Sequence, residues 1–524
     1  MRGVITVVLV FGVTAVADAQ TSVTVGPDKC AALKTLQVPG IALTVTNAQW
    51  FPAGPAPTLP GAGPPPATPI QLPDYCRLDG MIDRRQGVGG QYGIGFALAL
   101  PGNWNGRFLM QGGGGLNGRV GAPFGAQAAG SAPALVRGFA VVTTDTGHQS
   151  TTAFDGNFMQ DQQAALDFAF VAIGRVAVLA KDIIARHYGK PADHNYFVGC
   201  STGGREAMLM AQRYPTYFDG IVAGAPAMRT SHSNLALRSS VVAFNQIAPR
   251  DASGKPLTGQ AFSEADRKAI VDGIVNACDG NDGLQDGMIF DQRSCRFDPA
   301  TLVCKGTKSD GCLSSAQAQA LTKAFAGPKD SKGNQVYPGY YYDTGIAAMG
   351  TGIPGILLGA GPPVGAPAAL QQDVDKEARD ADSNPQAIIG DSWSWTNLDT
   401  FAGHGGKLLF FHGVSDPWFS AQDTVGYYER LGNANGGADA VRNWSRLFLS
   451  PGMGHCGGGP AALDTFDLLT PLVDWVEKGT APDAVTATGR AFPGRSRPLC
   501  AYPQHAHYKG LGDPQDARSF ECRQ

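Results

Sequence analysis

The stretch VGCSTGGRE, residues 198–206, sets Ser201 between Gly199 and Gly203. The β-rich residues 195–198 lead into it, and residues 207–214 continue with helical spacing. A strand that feeds G-x-S-x-G and then a helix is the setting in which a tight turn lifts a serine hydroxyl clear of the backbone, with glycines where side chains would collide. Alone, the motif fits an ordinary glycine turn with an incidental serine just as well. Its partners decide between the two. FHGVSDP, residues 411–417, closes a β-rich run on Asp416, and PGMGHC, residues 451–456, closes the next on His455. Serine, then aspartate, then histidine, each at the carboxyl end of a strand, is the chain order of the α/β-hydrolase triad. Serine is a poor nucleophile at neutral pH. His455 is therefore the expected general base and later acid, and Asp416 the group that fixes the imidazole tautomer and stabilises the imidazolium. An oxyanion would need N–H donors, for which Thr202 and either Gly113 or Gly114 of GGGG, residues 112–115, are the candidates.

The same rhythm extends outward. Residues 107–111 and 138–143 are β-rich, residues 162–186 have helical period, and residues 219–226 make another strand, the alternation of a parallel sheet covered by helices. It stops there and resumes only at GKLLFFH, residues 406–412, and RLFLS, residues 446–450. The expected fold is α/β, an α/β-hydrolase with a large lid inserted between two late strands. The boundaries are a leader over residues 1–19, core over 20–227, lid over 228–404 and core again over 405–524. PAGPAPTLPGAGPPPATP, residues 52–69, is too rich in proline and glycine for a helix or central strand and reads as an extended surface loop.

Forty-one basic and 44 acidic residues leave a net charge of −3, and no basic block interleaves with aromatics, so a nucleic-acid partner is not expected. Arg2, the apolar run over residues 4–16 and the small-x-small Ala17-Asp18-Ala19 form a signal-peptide pattern, which predicts export to the periplasm or outside the cell. No later stretch is long and apolar enough to span a bilayer. The ten cysteines, an even number in an exported chain, allow five disulfides whose pairing the sequence alone leaves open. Nothing in the sequence fixes an oligomeric state.

Two further signals carry chemistry. In CDGNDGLQDGMI, residues 278–289, carboxylates at 279, 282 and 286 lie among glycines and can converge on a hard cation, with main-chain carbonyls completing an oxygen shell. The loop is no EF-hand, since counted from Asp279 its sixth position is Leu284 rather than glycine and its twelfth Phe290 rather than glutamate. A plain acidic turn is the alternative. Trp393, Trp395, Trp418 and Phe419 flank the resumption of the sheet and the acid loop and are candidates to line a pocket for an aromatic group, with His412 facing the same space. Core packing for the tryptophans and a satisfied structural role for His412 are the competing readings.

Taken together, GCSTGGRE, HGVSDP and GMGHC resemble the tannase and feruloyl esterase family, in which one cysteine flanks the catalytic serine and another the catalytic histidine. The resemblance covers nearly the whole mature chain. It implies that Ser201, Asp416 and His455 are the triad and that Cys200 bonds to Cys456. Neighbouring positions suggest Cys30 with Cys76, Cys278 with Cys295, Cys304 with Cys312 and Cys500 with Cys522, and the resemblance supports that set. It also implies a structural calcium ion in the lid, held by the side chains of Asp279, Asp282 and Asp286 and the carbonyls of Leu284 and Met288. The implied function is a secreted serine esterase acting on small carboxylic esters of aromatic acids, feruloyl, galloyl or related phenolic and phthalate-type esters, through an acyl-serine intermediate. The alternatives are a catalytically silent secreted receptor for polyphenols or carbohydrates and a serine peptidase on the same triad.

Overall fold

The computed structural model describes residues 23–57, 69–349, 353–361 and 368–524. The expected leader lies outside these residues, as does most of the proline-rich stretch, whose flanks Gly54–Pro55 and Gln71–Leu72 pair as two short strands. The central sheet has nine strands, in chain order β1 Leu43–Phe51, β2 Tyr75–Gly87, β3 Gly90–Pro101, β4 Arg107–Gln111, β5 Ala140–Thr144, β6 His194–Cys200, β7 Gly220–Gly224, β8 Lys407–Gly413 and β9 Ser445–Ser450. Their order across the sheet is β9-β8-β7-β6-β4-β5-β3-β2-β1.

The six strands from β4 to β9 are mutually parallel. β6 and β7 are apolar runs buried on both faces, the composition demanded of a parallel strand with helices on either side. Two of the covering helices are α1 Ala172–Tyr188 and α2 Thr202–Arg213. The helical period expected over residues 162–186 is realised in three pieces, because a π-turn at Asp167–Val171 interrupts it. Such turns recur at functional sites.

The sheet extends further than the sequence reading foresaw. β1, β2 and β3 add an antiparallel meander to its edge. A small three-stranded sheet and a hairpin, closed by Cys500–Cys522, follow the last parallel strand.

Although β7 and β8 are neighbours, the chain leaves the sheet between them for residues 225–406. This excursion, the lid, includes helices α3 Thr230–Asn245, α4 Glu264–Cys278 and α5 Ser315–Ala326. The last two start on capping boxes, Ser263 with Asp266 and Ser314 with Gln317. Phe244, Phe262, Ile270, Ile274, Leu321 and Phe325 give the lid a hydrophobic cluster of its own. All five disulfides have the expected pairing, two of them, Cys278–Cys295 and Cys304–Cys312, within the lid. Among the described residues no helix is long and apolar enough to cross a membrane.

Candidate active site

Because β4, β6, β8 and β9 run parallel, the segments that follow them emerge at one edge of the sheet. Ser201 follows β6 directly and adopts φ 65°, ψ −124°, a conformation that side-chain-bearing residues rarely hold and that costs of order 1–3 kcal/mol. Its N–H donates to Gly224 O at 3.0 Å, and its carbonyl accepts from the N–H groups of Arg205 and Ala227. The flanking glycines are required by close approach. A Cβ on Gly199 would lie 2.2 Å from Gly203 O, and one on Gly203 would lie 2.7 Å from Gly113 O. The G-x-S-x-G pattern is therefore a packing requirement of this turn.

Asp416 follows β8 and is almost completely buried. Its Oδ2 accepts from His455 Nδ1 at 2.7 Å, and its Oδ1 accepts the N–H groups of Trp418 at 2.9 Å and Phe419 at 3.1 Å. Burial opposes ionisation of this carboxyl. The nearby His455 and the hydrogen bonds from both histidines together outweigh that penalty and hold it well below the usual carboxylate range. An ionised Asp416 on Nδ1 leaves Nε2 as the basic nitrogen of His455. Ser201 and His455 line the same cavity. The disulfide Cys200–Cys456 spans 256 positions of sequence and joins the residue before Ser201 to the residue after His455, with 6.0 Å between its Cα atoms.

Thr202 is the first residue of α2, where a backbone N–H has no acceptor within the helix. Gly113 is otherwise engaged. Its N–H donates to Glu206 Oε2 at 3.0 Å, and Asn117 Nδ2 donates to the other oxygen at 2.7 Å, so the buried Glu206 occupies the amide assigned to the oxyanion. Gly114 lines the cavity beside Ser201 together with Gly113.

Two cavities meet at Ser201. One, of about 390 Å³, has a mixed polar and apolar lining and runs along the tetraglycine turn past Gln111, Arg119, Gln127 and Thr143. The other, of about 260 Å³, lies between core and lid and is walled by Phe154, Phe168, Trp418 and Phe419, with Asn234 and Gln386 among its polar groups. Trp418 and Phe419 each hold a ring centroid 5.3 Å from that of His455. Arg205 also borders the second cavity. It donates to Phe168 O at 3.0 Å and stacks 4.4 Å from the Phe168 ring, and burial lowers its pKa to about 10.

Three of the aromatic-pocket expectations are corrected. Trp393 is sandwiched between Arg229 and Arg430, 4.0 and 3.7 Å from its ring, and lines neither cavity. Trp395 is half exposed and uses its indole N–H on Asn397 O. His412 is fully buried behind the acid: Nδ1 meets Thr424 Oγ1 at 2.8 Å, and Nε2 lies 2.9 Å from Phe419 O and 3.2 Å from Asp416 Oδ2. It braces the acid loop. The pocket residues missed by the sequence reading, Phe154, Phe168, Asn234 and Gln386, lie far apart in the chain. No local sequence pattern marks them, and Phe168 stands out only in the structure, where it lies on the π-turn.

The acidic loop is folded on itself. Asp279 accepts the N–H groups of Gly287 and Met288, Asp282 those of Leu284 and Phe290, and Asp286 that of Met288. Burial raises the pKa of Asp279 and pushes that of Asp282 up to about 7, and neighbouring carboxylates add to both shifts. Asp286 pairs with the buried Arg497. The donor set matches calcium's preference for hard oxygens. As placed, however, no three His, Cys, Asp or Glu side chains among the described residues converge as a metal site.

Similarity to known proteins agrees with this geometry. The model of the family described as "Tannase and feruloyl esterase" matches residues 80–372 and 370–523. Mono(2-hydroxyethyl) terephthalate hydrolase of Piscinibacter sakaiensis is 38% identical over 92% of this chain and 89% of its own. A probable feruloyl esterase of Arthroderma benhamiae is 32% identical over 94% and 93%. The crystal structure of feruloyl esterase B from Aspergillus oryzae superposes with a TM-score of 0.76 at 26% identity, covering 95% of this chain and all of that one. The chain thus belongs to the tannase and feruloyl esterase family, and it is a carboxylic ester hydrolase with an α/β-hydrolase fold.

Proposed function

We propose that the protein hydrolyses esters of aromatic acids with Ser201 as nucleophile, His455 as general base and Asp416 as the acid that orients it. The observation that carries this reading is the 2.7 Å bond between His455 Nδ1 and a buried Asp416, beside a serine held in a strained turn on the same cavity. Ser201 Oγ attacks the ester carbonyl as His455 Nε2 takes its proton, and the N–H groups of Thr202 and Gly114 receive the oxyanion. His455 then protonates the departing alcohol. Water, deprotonated by the same nitrogen, releases the acid from Ser201. The aromatic acyl group sits between Phe154, Trp418 and Phe419, and the alcohol leaves through the cavity along the tetraglycine turn. The names of the relatives, a terephthalate monoester hydrolase and feruloyl esterases, point to the same substrate class.

Two further parts of the reading concern setting rather than chemistry. Five disulfides suit an exported protein, in keeping with the leader pattern. Calcium would be held by Asp279, Asp282 and Asp286 with the carbonyls of Leu284 and Met288, and it would neutralise carboxylates that burial makes costly to ionise.

Hydrolysis of methyl ferulate, methyl gallate, mono(2-hydroxyethyl) terephthalate and p-nitrophenyl acetate, by the protein and by Ser201→Ala, tests the proposal. Turnover of at least one aromatic ester, abolished in the variant, is expected. Hydrolysis of p-nitrophenyl acetate alone would refute the aromatic assignment.

A further inference from the structure

Asp343 belongs to the lid, yet its carboxylate lies between the two loops that carry the acid and the base. It is completely buried. Oδ2 accepts from Ser415 Oγ at 2.6 Å and from the Gly452 N–H at 2.7 Å. Ser415 adjoins Asp416, and Gly452 stands three residues before His455. Oδ1 accepts from Gln292 Nε2 at 3.0 Å, and Ser415 Oγ also receives the Gly345 N–H at 3.0 Å. Packing closes the same junction: a Cβ on Gly345 would lie 2.4 Å from Gly452 O and 2.7 Å from Ser415 Cβ. Besides this carboxylate and the Asp416–His455 bond itself, the loops after β8 and β9 are joined by main-chain bonds, Val414 N–H to Ser450 O at 3.0 Å and Ser415 N–H to Met453 O at 2.9 Å.

We propose that Asp343 is a positioning residue, through which the lid fixes the separation of the Asp416 and His455 loops and so the alignment of the triad. This rests on the triad assignment above. One oxygen that accepts from both loops at once sets their spacing in a way that neither loop can set alone. The lid thereby contributes to the chemistry as well as to the cavity wall. A displacement near 1 Å in such a site can cost about a hundredfold in rate.

The role depends on accepting two hydrogen bonds and not on charge, which separates the two obvious variants. Asparagine can keep Oδ1 on Ser415 and Gly452, and its NH₂ can donate to the otherwise unpartnered Oε1 of Gln292 once that amide turns over, at the cost of the Gln292 bond to Ile289 O. Alanine removes the acceptor. With p-nitrophenyl acetate, assayed well below the melting temperature of each variant, Asp343→Ala is expected to lose roughly ten- to a hundredfold in kcat with KM changed by less than about twofold, and Asp343→Asn to stay within about threefold of the parent. Wild-type kcat in a folded Asp343→Ala, equal losses in both variants, or a loss confined to KM would each overturn the proposal. If Asp343→Ala does not fold, Ser415→Ala decides, with a severalfold drop in kcat expected and an unchanged kcat overturning the idea. Ser201→Ala is run beside them. Activity there would refute the triad itself, whereas a dead Ser201→Ala beside a fully active Asp343→Ala would refute only the positioning role.

Discussion

Asp416, on the loop after β8, and Asp282, on the lid loop stapled by Cys278–Cys295, are both buried aspartates, and their ionisation goes opposite ways. Asp416 faces two histidines and is held ionised. Asp282 faces backbone N–H groups and two further carboxylates, and its pKa rises to about 7. Burial penalises charge in both places, and the partners decide the outcome. The difference teaches what each loop is built for. The first is a finished electrostatic arrangement that can stabilise an imidazolium as it forms. In the second, burial and neighbouring carboxylates disfavour ionisation, which the calcium ion proposed above would offset. Changes in the first should therefore act on rate, and changes in the second on stability.

The largest effect expected is on rate. Asp416→Asn should lower kcat by about 10⁴-fold, because an amide in that place stabilises the wrong tautomer of His455. Loss of fold rather than of rate, seen by circular dichroism, would break the contrast between the loops. Next comes the covalent link between serine and histidine. Replacing both Cys200 and Cys456 by alanine removes the cross-link of a loop for which chain entropy gives more than about 4.7 kcal/mol. It also leaves Ser201 and His455 aligned by packing alone, so thermal melts should show a lower melting temperature. Assays well below that temperature should still show kcat reduced by about ten- to a hundredfold. Full kcat in the folded double variant would show that the bridge is only a staple.

Much of this was legible in the sequence because it is local. The turn at Ser201, the strand ends carrying Asp416 and His455, and the parallel rhythm of β4 to β9 each occupy a short window with its own periodicity or glycine pattern. The long hairpin of β2 and β3 was missed. In β2, charged residues interrupt the apolar alternation, which shows fully only as buried and half-buried positions once β1 and β3 lie on either side. The pocket was harder still. Trp393 and Trp395 lie near the end of the lid in sequence, but two arginines hold the first and the second faces outward. Gly113 fits a donor pattern, and only the fold reveals that Glu206 takes its N–H.

A smaller effect lies in the lid. Chelation of calcium, or Asp282→Ala, should lower the melting temperature and speed proteolysis within residues 228–404 while leaving kcat of the folded enzyme near its starting value. At a hundredfold excess over Kd, an ion of this kind contributes about 2.7 kcal/mol. Identical melts and digests with and without chelator would remove calcium from the account.

The smallest effect sharpens the comparison through histidines that lack a carboxylate within ion-pair reach. Burial lowers the pKa of His148 and of His187 to about 4. Both stay neutral in the folded protein at pH values where the unfolded chain, with a pKa near 6.5, has taken up protons. The stability they contribute is present above about pH 6.5 and is lost as pH falls toward about 4. His148→Phe, which keeps the stack on Phe158, should flatten that acid limb in melts taken across the window. An unchanged slope would show that His148 does not titrate there.

The central claim is that Ser201 carries the acyl group. Acid quenching during steady-state turnover of an aromatic ester, followed by peptide mapping by mass spectrometry, tests it most directly. The account predicts the mass of the aromatic acyl group on Ser201, with none in Ser201→Ala. Acylation of a different residue, or continued turnover by Ser201→Ala, would contradict it.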